Sequence, residues 1–289
     1  MRVRPLRGGI SSSVHLVQVE TDDGARHGVV VRRYGEYSQR IDPPACAREF
    51  KLLTALADTS FPAPRPLLLD AEGGPFGAPT VVMSRLPGRP LLAPRDLDRY
   101  LEQMARTLAE LHALPIAGLE FLPDQGAMVD RNLGPDRDTH GDPLQQAVLD
   151  AVLAEWDNVS QSERRRVLVH GDYWPGNVLF LRGRLVGVVD WEQPRLGDPA
   201  KDVATCRGDL CVMFGQDAAD AFAARYEAAS GQALQNMRFW DLFISTWAVP
   251  EMPEWAGAYR VLGRADLTLE VANGRIRDFA RAALENVRG

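Results

Sequence analysis

The stretch VLVHGDYWPGNVLF, residues 167–180, limits the folds open to this chain more than any other part of it. Two apolar runs of strand character flank a loop that holds a His, an Asp, an Asn, a Pro and two Gly. After Asn177 the chain reads VLFL, RGR and LVGVVD, which predicts a strand, a Gly-containing turn and a second strand. In such a hairpin the residue entering the first strand and the residue leaving the second lie at the same open end, with strands about 4.8 Å apart. Asn177 and Asp190 are therefore expected as neighbours. An amide oxygen and a carboxylate make a hard oxygen pair of the kind that suits Mg²⁺, an ion that keeps waters and shares phosphate oxygens. Asp172, five residues before Asn177, is placed to address whatever such an ion holds.

The order His170-Gly171-Asp172-Tyr173-Trp174-Pro175-Gly176-Asn177, followed by VVDWE at 188–192, resembles the catalytic loop and metal-binding segment of the aminoglycoside phosphotransferase family. Those proteins are relatives of protein kinases and of choline and homoserine kinases. The resemblance implies an α+β, bilobal protein-kinase-like fold: a small N-terminal antiparallel β-sheet lobe (1–86) that binds nucleotide, and a larger, mostly helical C-terminal lobe (87–289) that holds the catalytic loop and acceptor. It implies a kinase that transfers the γ-phosphoryl group of ATP, or of GTP, to a hydroxyl of a small molecule with Mg²⁺ as cofactor. Asp172 is then the base or orienting group, Asn177 and Asp190 are metal ligands, and His170 braces the loop. Gly171 departs from the Arg of protein kinases, leaving no cation there to read a phosphorylated activation loop. Trp191-Glu192 departs from their Phe-Gly. Two other readings stand beside this one: a loop whose Asp and Asn serve turn geometry alone, and a metallophosphatase using His170, Asp172 and Asp190. Such metal sites call on further His residues, and the chain has five in all, the others scattered.

A helix over 45–57 supplies an independent test. At about 100° per residue, Ala45, Cys46, Leu52, Leu53 and Leu56 share one face, with Glu49 near its middle. Left buried and unpaired, that carboxylate would cost about 3 to 5 kcal/mol, so a cation must reach it, and VVVRRY offers Arg32 or Arg33. The resemblance selects Arg32 for the strand-to-helix ion pair that positions nucleotide phosphates. Otherwise Arg32 is solvated and Glu49 bends into water at the edge of the stripe.

Further matches are weaker. RGGISSSVHL would cover the phosphates, with Gly9, Ser11 and Ser12 as contacts, or be an ordinary flexible turn; it is no P-loop. VVMSRLPG falls where a hinge would lie, and backbone groups from Met83 to Arg85 would meet the adenine. In LGDPAKDVA, Asp198-Pro199 reads as a helix start. By resemblance Asp202 braces the loop backbone, whereas the residues alone allow a surface acid near a helix N-terminus. His112 reads as packing on a helix predicted over 96–112.

The remaining sequence predicts a β-hairpin over 13–34, a strand at PTVVMSRL, a Gly-, Pro- and Asp-rich surface excursion over 118–143, helix from about 144 to 158, and helices beyond 199. Asp124, Asp130, Asp136, Asp138 and Asp142 would let the excursion attract a cationic acceptor, or merely solvate it. Trp240, Trp247, Trp255 and Tyr259 would stack on a ligand or fill the core. With a net charge of −6 and no basic block, neither a nucleic acid nor an anionic membrane is expected as partner. Three unpatterned cysteines, no signal-peptide pattern and no long apolar span predict a cytoplasmic protein. Monomer and dimer are equally open. The expected acceptor is an antibiotic, with drug resistance as the role, or a metabolite such as choline, homoserine or a sugar. A catalytically idle nucleotide-binding module is the competing class.

Overall fold

Strands β1 (Arg2–Pro5), β2 (Ser12–Glu20) and β3 (Arg26–Tyr34) open the chain, followed by helices α1 (Glu36–Ile41) and α2 (Ala45–Ala57) and strands β4 (Pro66–Asp70) and β5 (Thr80–Ser84). The protein is described by a computed structural model over residues 2–6, 12–20, 24, 26–133, 141–161 and 166–285. The strands form one antiparallel sheet in the order β1-β2-β3-β5-β4. The hairpin β2–β3 runs in register from Ser12 opposite Tyr34 to Glu20 opposite Arg26. Helix α2 packs against β4 and β5 and buries Ala45, Cys46, Glu49, Leu52, Leu53 and Leu56, the face expected from its periodicity.

This sheet and α2 belong to the first of two units, made of residues 1–89, 179–181 and 186–193. The second contains residues 90–178, 182–185 and 194–289. A short strand β6 (Arg89–Pro90) stands beside the hairpin β8 (Val178–Leu181) and β9 (Arg184–Val188) in the order β6-β8-β9. Between β6 and β8 come α3 (Leu97–His112), α4 (Gln125–Asn132), α5 (Pro143–Gln161) and β7 (Val167–Val169). After β9 follow β10 (Arg195–Gly197), α6 (Ala200–Phe214), α7 (Gln216–Ser230), α8 (Met237–Val261) and α9 (Leu269–Glu285). Helix α3 starts where Asp96 accepts the Arg99 N–H at 3.0 Å. Its partner is α7, while α8 packs on α5, α6 and α9. None of the helices among the described residues is long and apolar enough to cross a membrane.

Two findings correct the sequence-based expectations, and a third decides between two of them. Strands β1 and β4 close the two edges of the sheet, and neither was foreseen. The excursion over 118–143 contains α4, capped by Asp124 through the Gly126 N–H at 2.8 Å, with Gln125, Met128 and Val129 buried. Its acids are occupied: Asp124 binds Arg166, Asp130 accepts from the Trp156 indole, and Asp142 pairs with Arg277. Asp136 and Asp138 lie outside the described residues. Trp240 and Tyr259 are core residues, Trp240 stacking edge-on to Phe239 and Phe243; Trp247 and Trp255 are half-buried.

Candidate active site

In the second unit, β7 is wholly buried and paired with β10, so the chain leaves it at His170 from a fixed base. Asp202, two residues into α6, is fully buried and is the anchor of the loop that follows. Its carboxylate accepts the His170 N–H at 2.6 Å and the Gly171 N–H at 2.9 Å. His112, from the end of α3, stands 3.3 Å from the same carboxylate through Nε2 and 2.8 Å from the Tyr226 hydroxyl through Nδ1. Burial works against the charge of Asp202, yet the His112 contact and the neighbouring Lys201 ammonium hold its carboxyl below the usual range. The loop-bracing role expected of Asp202 thus has its geometry, and Asp202 is no surface acid.

Gly171 adopts φ 91°, a conformation that Gly alone enters without penalty. The next N–H, of Asp172, donates to His170 Nδ1 at 3.2 Å. Tyr173 is buried and ties the loop to α3 through its hydroxyl on the Met104 carbonyl at 2.9 Å. A single 3₁₀ turn at Pro175–Asn177 then leads into β8. The Asn177 amide nitrogen donates to both the Asp172 carbonyl and its Oδ2, each at 2.9 Å. Asp172 and Asn177 are therefore joined directly, and the amide nitrogen of Asn177 is committed to that contact.

In the first unit the expected pair also forms. Arg32 Nη1 lies 3.5 Å from Glu49 Oε1, with both side chains buried. The same nitrogen donates to Asp190 Oδ1 at 2.7 Å and lies 3.8 Å from Glu192. Tyr34, two residues along β3 on the same face, donates to Glu49 Oε2 at 2.6 Å. Burial alone would weaken the charge on Arg32, but Asp190 and Glu49 raise its pKa well above the ordinary value. Burial pushes the Glu49 carboxyl up, against Arg32 and the Tyr34 hydrogen bond. Asp190 takes φ 71°, unusual for a residue with a side chain. Trp191 is anchored by its indole N–H on the Val188 carbonyl at 3.1 Å and by edge-on contact with Phe61.

The remaining expected residues are placed as follows. Ser12 begins β2 opposite Tyr34; Gly9 and Ser11 lie outside the described residues. Met83 is buried within β5, opposite Val30. The N–H groups of Ser84 and Arg85 are committed to the Arg65 and Gly28 carbonyls, at 2.8 and 3.3 Å. Asp198 accepts the Ala200 N–H at 2.9 Å, the helix-start geometry expected of it, and also receives the Trp240 indole at 3.0 Å. Sequence reasoning missed Tyr34 and Lys201, and read His112 as packing without its contact to Asp202. The two-residue period of β3 pointed to Tyr34; nothing local marked Lys201 or that contact.

Mg²⁺ fits the chemistry of the donors. Each unit offers one hard oxygen donor: in the second, the Asn177 amide, whose nitrogen is committed to Asp172; in the first, the Asp190 carboxylate oxygen that does not bind Arg32. Among the described residues no cluster of three or more His, Cys, Asp or Glu forms a closed metal cage. Mg²⁺, which takes few protein ligands and completes its shell with waters and phosphate oxygens, suits donors of this kind.

An N-terminal antiparallel sheet, a helical remainder and a braced His-x-Asp loop ahead of a hairpin define a protein-kinase-like phosphotransferase fold. A model of the phosphotransferase enzyme family matches residues 2–240, and the chain belongs to that family. It is similar to the homoserine kinase of Gluconacetobacter diazotrophicus, 31% identical over 218 residues, 68% of this chain and 61% of that protein. It also resembles human acyl-CoA dehydrogenase family member 11, 29% identical over 174 residues, 54% of this chain and 22% of that protein. The chain thus spans less than a quarter of the length of this relative. Among solved structures, a thermostable mutant of aminoglycoside phosphotransferase APH(4)-Ia superposes with a TM-score of 0.69 at 17% identity, covering 100% of this chain and 96% of that one. Its ternary complex with ADP and hygromycin B gives a TM-score of 0.65 at 16% identity, covering 100% and 95%.

Proposed function

We propose that the chain is a Mg²⁺-dependent kinase that transfers the γ-phosphoryl group of ATP to a hydroxyl of a small molecule. The observation that carries the proposal is the Asp202 grip on the His170 and Gly171 amides, together with the Asn177 amide on Asp172. A loop that served turn geometry alone would not call for a buried, ionised carboxylate beneath it. In this reading Asp172 receives the proton of the acceptor hydroxyl, or orients it, as the oxygen attacks. Asn177 and Asp190 hold the metal, which when bound neutralises charge on the phosphate oxygens. Arg32, kept in place by Glu49, faces the phosphates; Gly9, Ser11 and Ser12 cover them, and backbone groups around Met83 and Arg85, other than the committed Ser84 and Arg85 N–H groups, meet the base. Residues 1–86 bind nucleotide and 87–289 supply catalysis and acceptor. Catalysis then rests on positioning and charge neutralisation.

The homoserine kinase relative, similar over two thirds of this chain, favours a metabolite alcohol over an antibiotic as acceptor. The aminoglycoside enzymes are similar in fold at 16 to 17% identity, which says nothing of the acceptor. A cytoplasmic site of action agrees with a small soluble acceptor.

The test is ADP release from MgATP with a panel of amino alcohols, sugars and aminoglycosides, and product identification by mass spectrometry. A phosphorylated acceptor is expected, with loss of about a thousandfold in Asp172→Asn. Undiminished transfer by that variant would remove Asp172 from its role. Nucleotide binding with no transfer to any acceptor would favour the idle binding module.

A further inference from the structure

Lys201 has no part in the scheme above, yet it is only 3% exposed and sits directly under the loop. Its ammonium donates to the Gly171 carbonyl oxygen. The adjacent residue, Asp202, accepts the N–H of that same Gly171 at 2.9 Å. Consecutive side chains at the start of α6 therefore hold both polar ends of residue 171. The carbonyl of Gly171 belongs to the peptide bond that leads into Asp172, so fixing it fixes the frame from which the Asp172 side chain projects. At φ 91° and without a Cβ, Gly171 has little of its own to stop that peptide plane from turning.

The choice of Lys is costly in itself. Burial pulls its pKa down, against the opposing pull of the Asp202 and Asp172 carboxylates. A Met of similar length would satisfy the packing without desolvating a charge. The ammonium has three donors, and a single neutral carbonyl does not repay its burial. The carboxylates of Asp202 and Asp172 oppose that cost only in part, and the Arg195 cation adds to it.

We infer that Lys201 is a positioning residue for phosphoryl transfer: its hydrogen bond to the Gly171 carbonyl locks the Gly171–Asp172 peptide from which the Asp172 side chain projects. The inference rests on the reading of Asp172 as the group that handles the acceptor proton. It assigns to this chain a cation in the loop floor that the sequence motif around Asp172 does not contain.

The test compares the full chain with its Lys201→Met and Lys201→Arg variants in ADP release from MgATP, alone and with the acceptor panel, alongside thermal unfolding. Lys201→Met is expected to lose about a hundredfold in kcat with KM for ATP within about threefold of the parent. Lys201→Arg, larger and harder to pack but still charged, is expected to recover most of that loss. A purely structural role predicts the reverse order, since Met fits the space better than Arg. Lys201→Met with kcat within about threefold of the parent overturns the inference, as does an Arg variant no better than Met. A parent chain that binds nucleotide and releases no ADP with any acceptor overturns the kinase reading, and this inference with it; that failure shows in the parent rather than in the variants.

Discussion

The guanidinium of Arg32 hydrogen-bonds the carboxylate of Asp190 at 2.7 Å while facing Glu49 at 3.5 Å. One cation thus links strand β3, helix α2 and the segment after β9 within the first unit. Arg32→Met leaves Glu49 buried with the Tyr34 hydroxyl alone, and the expected loss in unfolding free energy is about 3 kcal/mol. Glu49→Gln should cost less, because Tyr34 retains an acceptor. Urea denaturation of both variants checks this; an Arg32→Met protein as stable as the parent would show that the cluster contributes nothing net.

Asp202 carries two buried N–H groups and the His112 ring, so Asp202→Ala is expected to lose about 3 kcal/mol of stability and to speed amide exchange at His170 and Gly171. Its carboxyl is held below the ordinary value, so the contribution is present above about pH 4 and is lost as the pH falls through the depressed folded value. Exchange rates at those amides unchanged in the Ala variant would contradict the anchoring.

Asp241 on α8 behaves oppositely. Burial pushes its carboxyl up to about 6 although Arg207 holds it. Folded protein binds this proton more tightly than unfolded chain, so stability is full below about pH 4 and declines as the pH rises through about 6. Subtracting the pH–stability curve of Asp241→Asn from that of the parent should reveal a fall of about 3 kcal/mol across that window. A flat difference curve would mean that the carboxyl titrates as it does in water.

Asp190 keeps one carboxylate oxygen clear of Arg32. Asp190→Asn is therefore expected to raise the Mg²⁺ concentration needed for tight ATP binding by about tenfold, read by calorimetry at a series of Mg²⁺ concentrations. Binding of ATP in the absence of Mg²⁺ should change little. Equal Mg²⁺ dependence in parent and variant would take Asp190 out of the ligand set.

Much of this architecture is legible in the sequence because its periodicities are local. The stripe of α2 puts Glu49 on a buried face and calls for a cation from the VVVRRY strand, while the family resemblance, not periodicity, selects Arg32 over Arg33. Strand β4 escaped notice because FPAPRPLLLD lacks alternation: it is an edge strand whose Leu67 and Leu68 are both exposed, and β5 supplies its pairing. Helix α4 is eight residues long and carries Gly126, too short for a periodic pattern to emerge. The partners of Asp124, Asp130 and Asp142 lie 42, 26 and 135 positions away, and those of Asp202 include His112 at a separation of 90. Contacts of that range leave no trace in a window of sequence, so acids spent on folding read as acids free for a ligand.

Within five residues, Asp198 takes the Trp240 indole, Lys201 the Gly171 carbonyl and Asp202 two loop amides, while the Asp198 N–H reaches Gln125 at 2.6 Å. Each successive position on α6 is turned by about 100° from the last. Lengthening this segment by one residue would swing Lys201 and Asp202 away from Gly171 while leaving every side chain chemically intact. Its spacing, more than its composition, is what descendants of this chain are least free to alter.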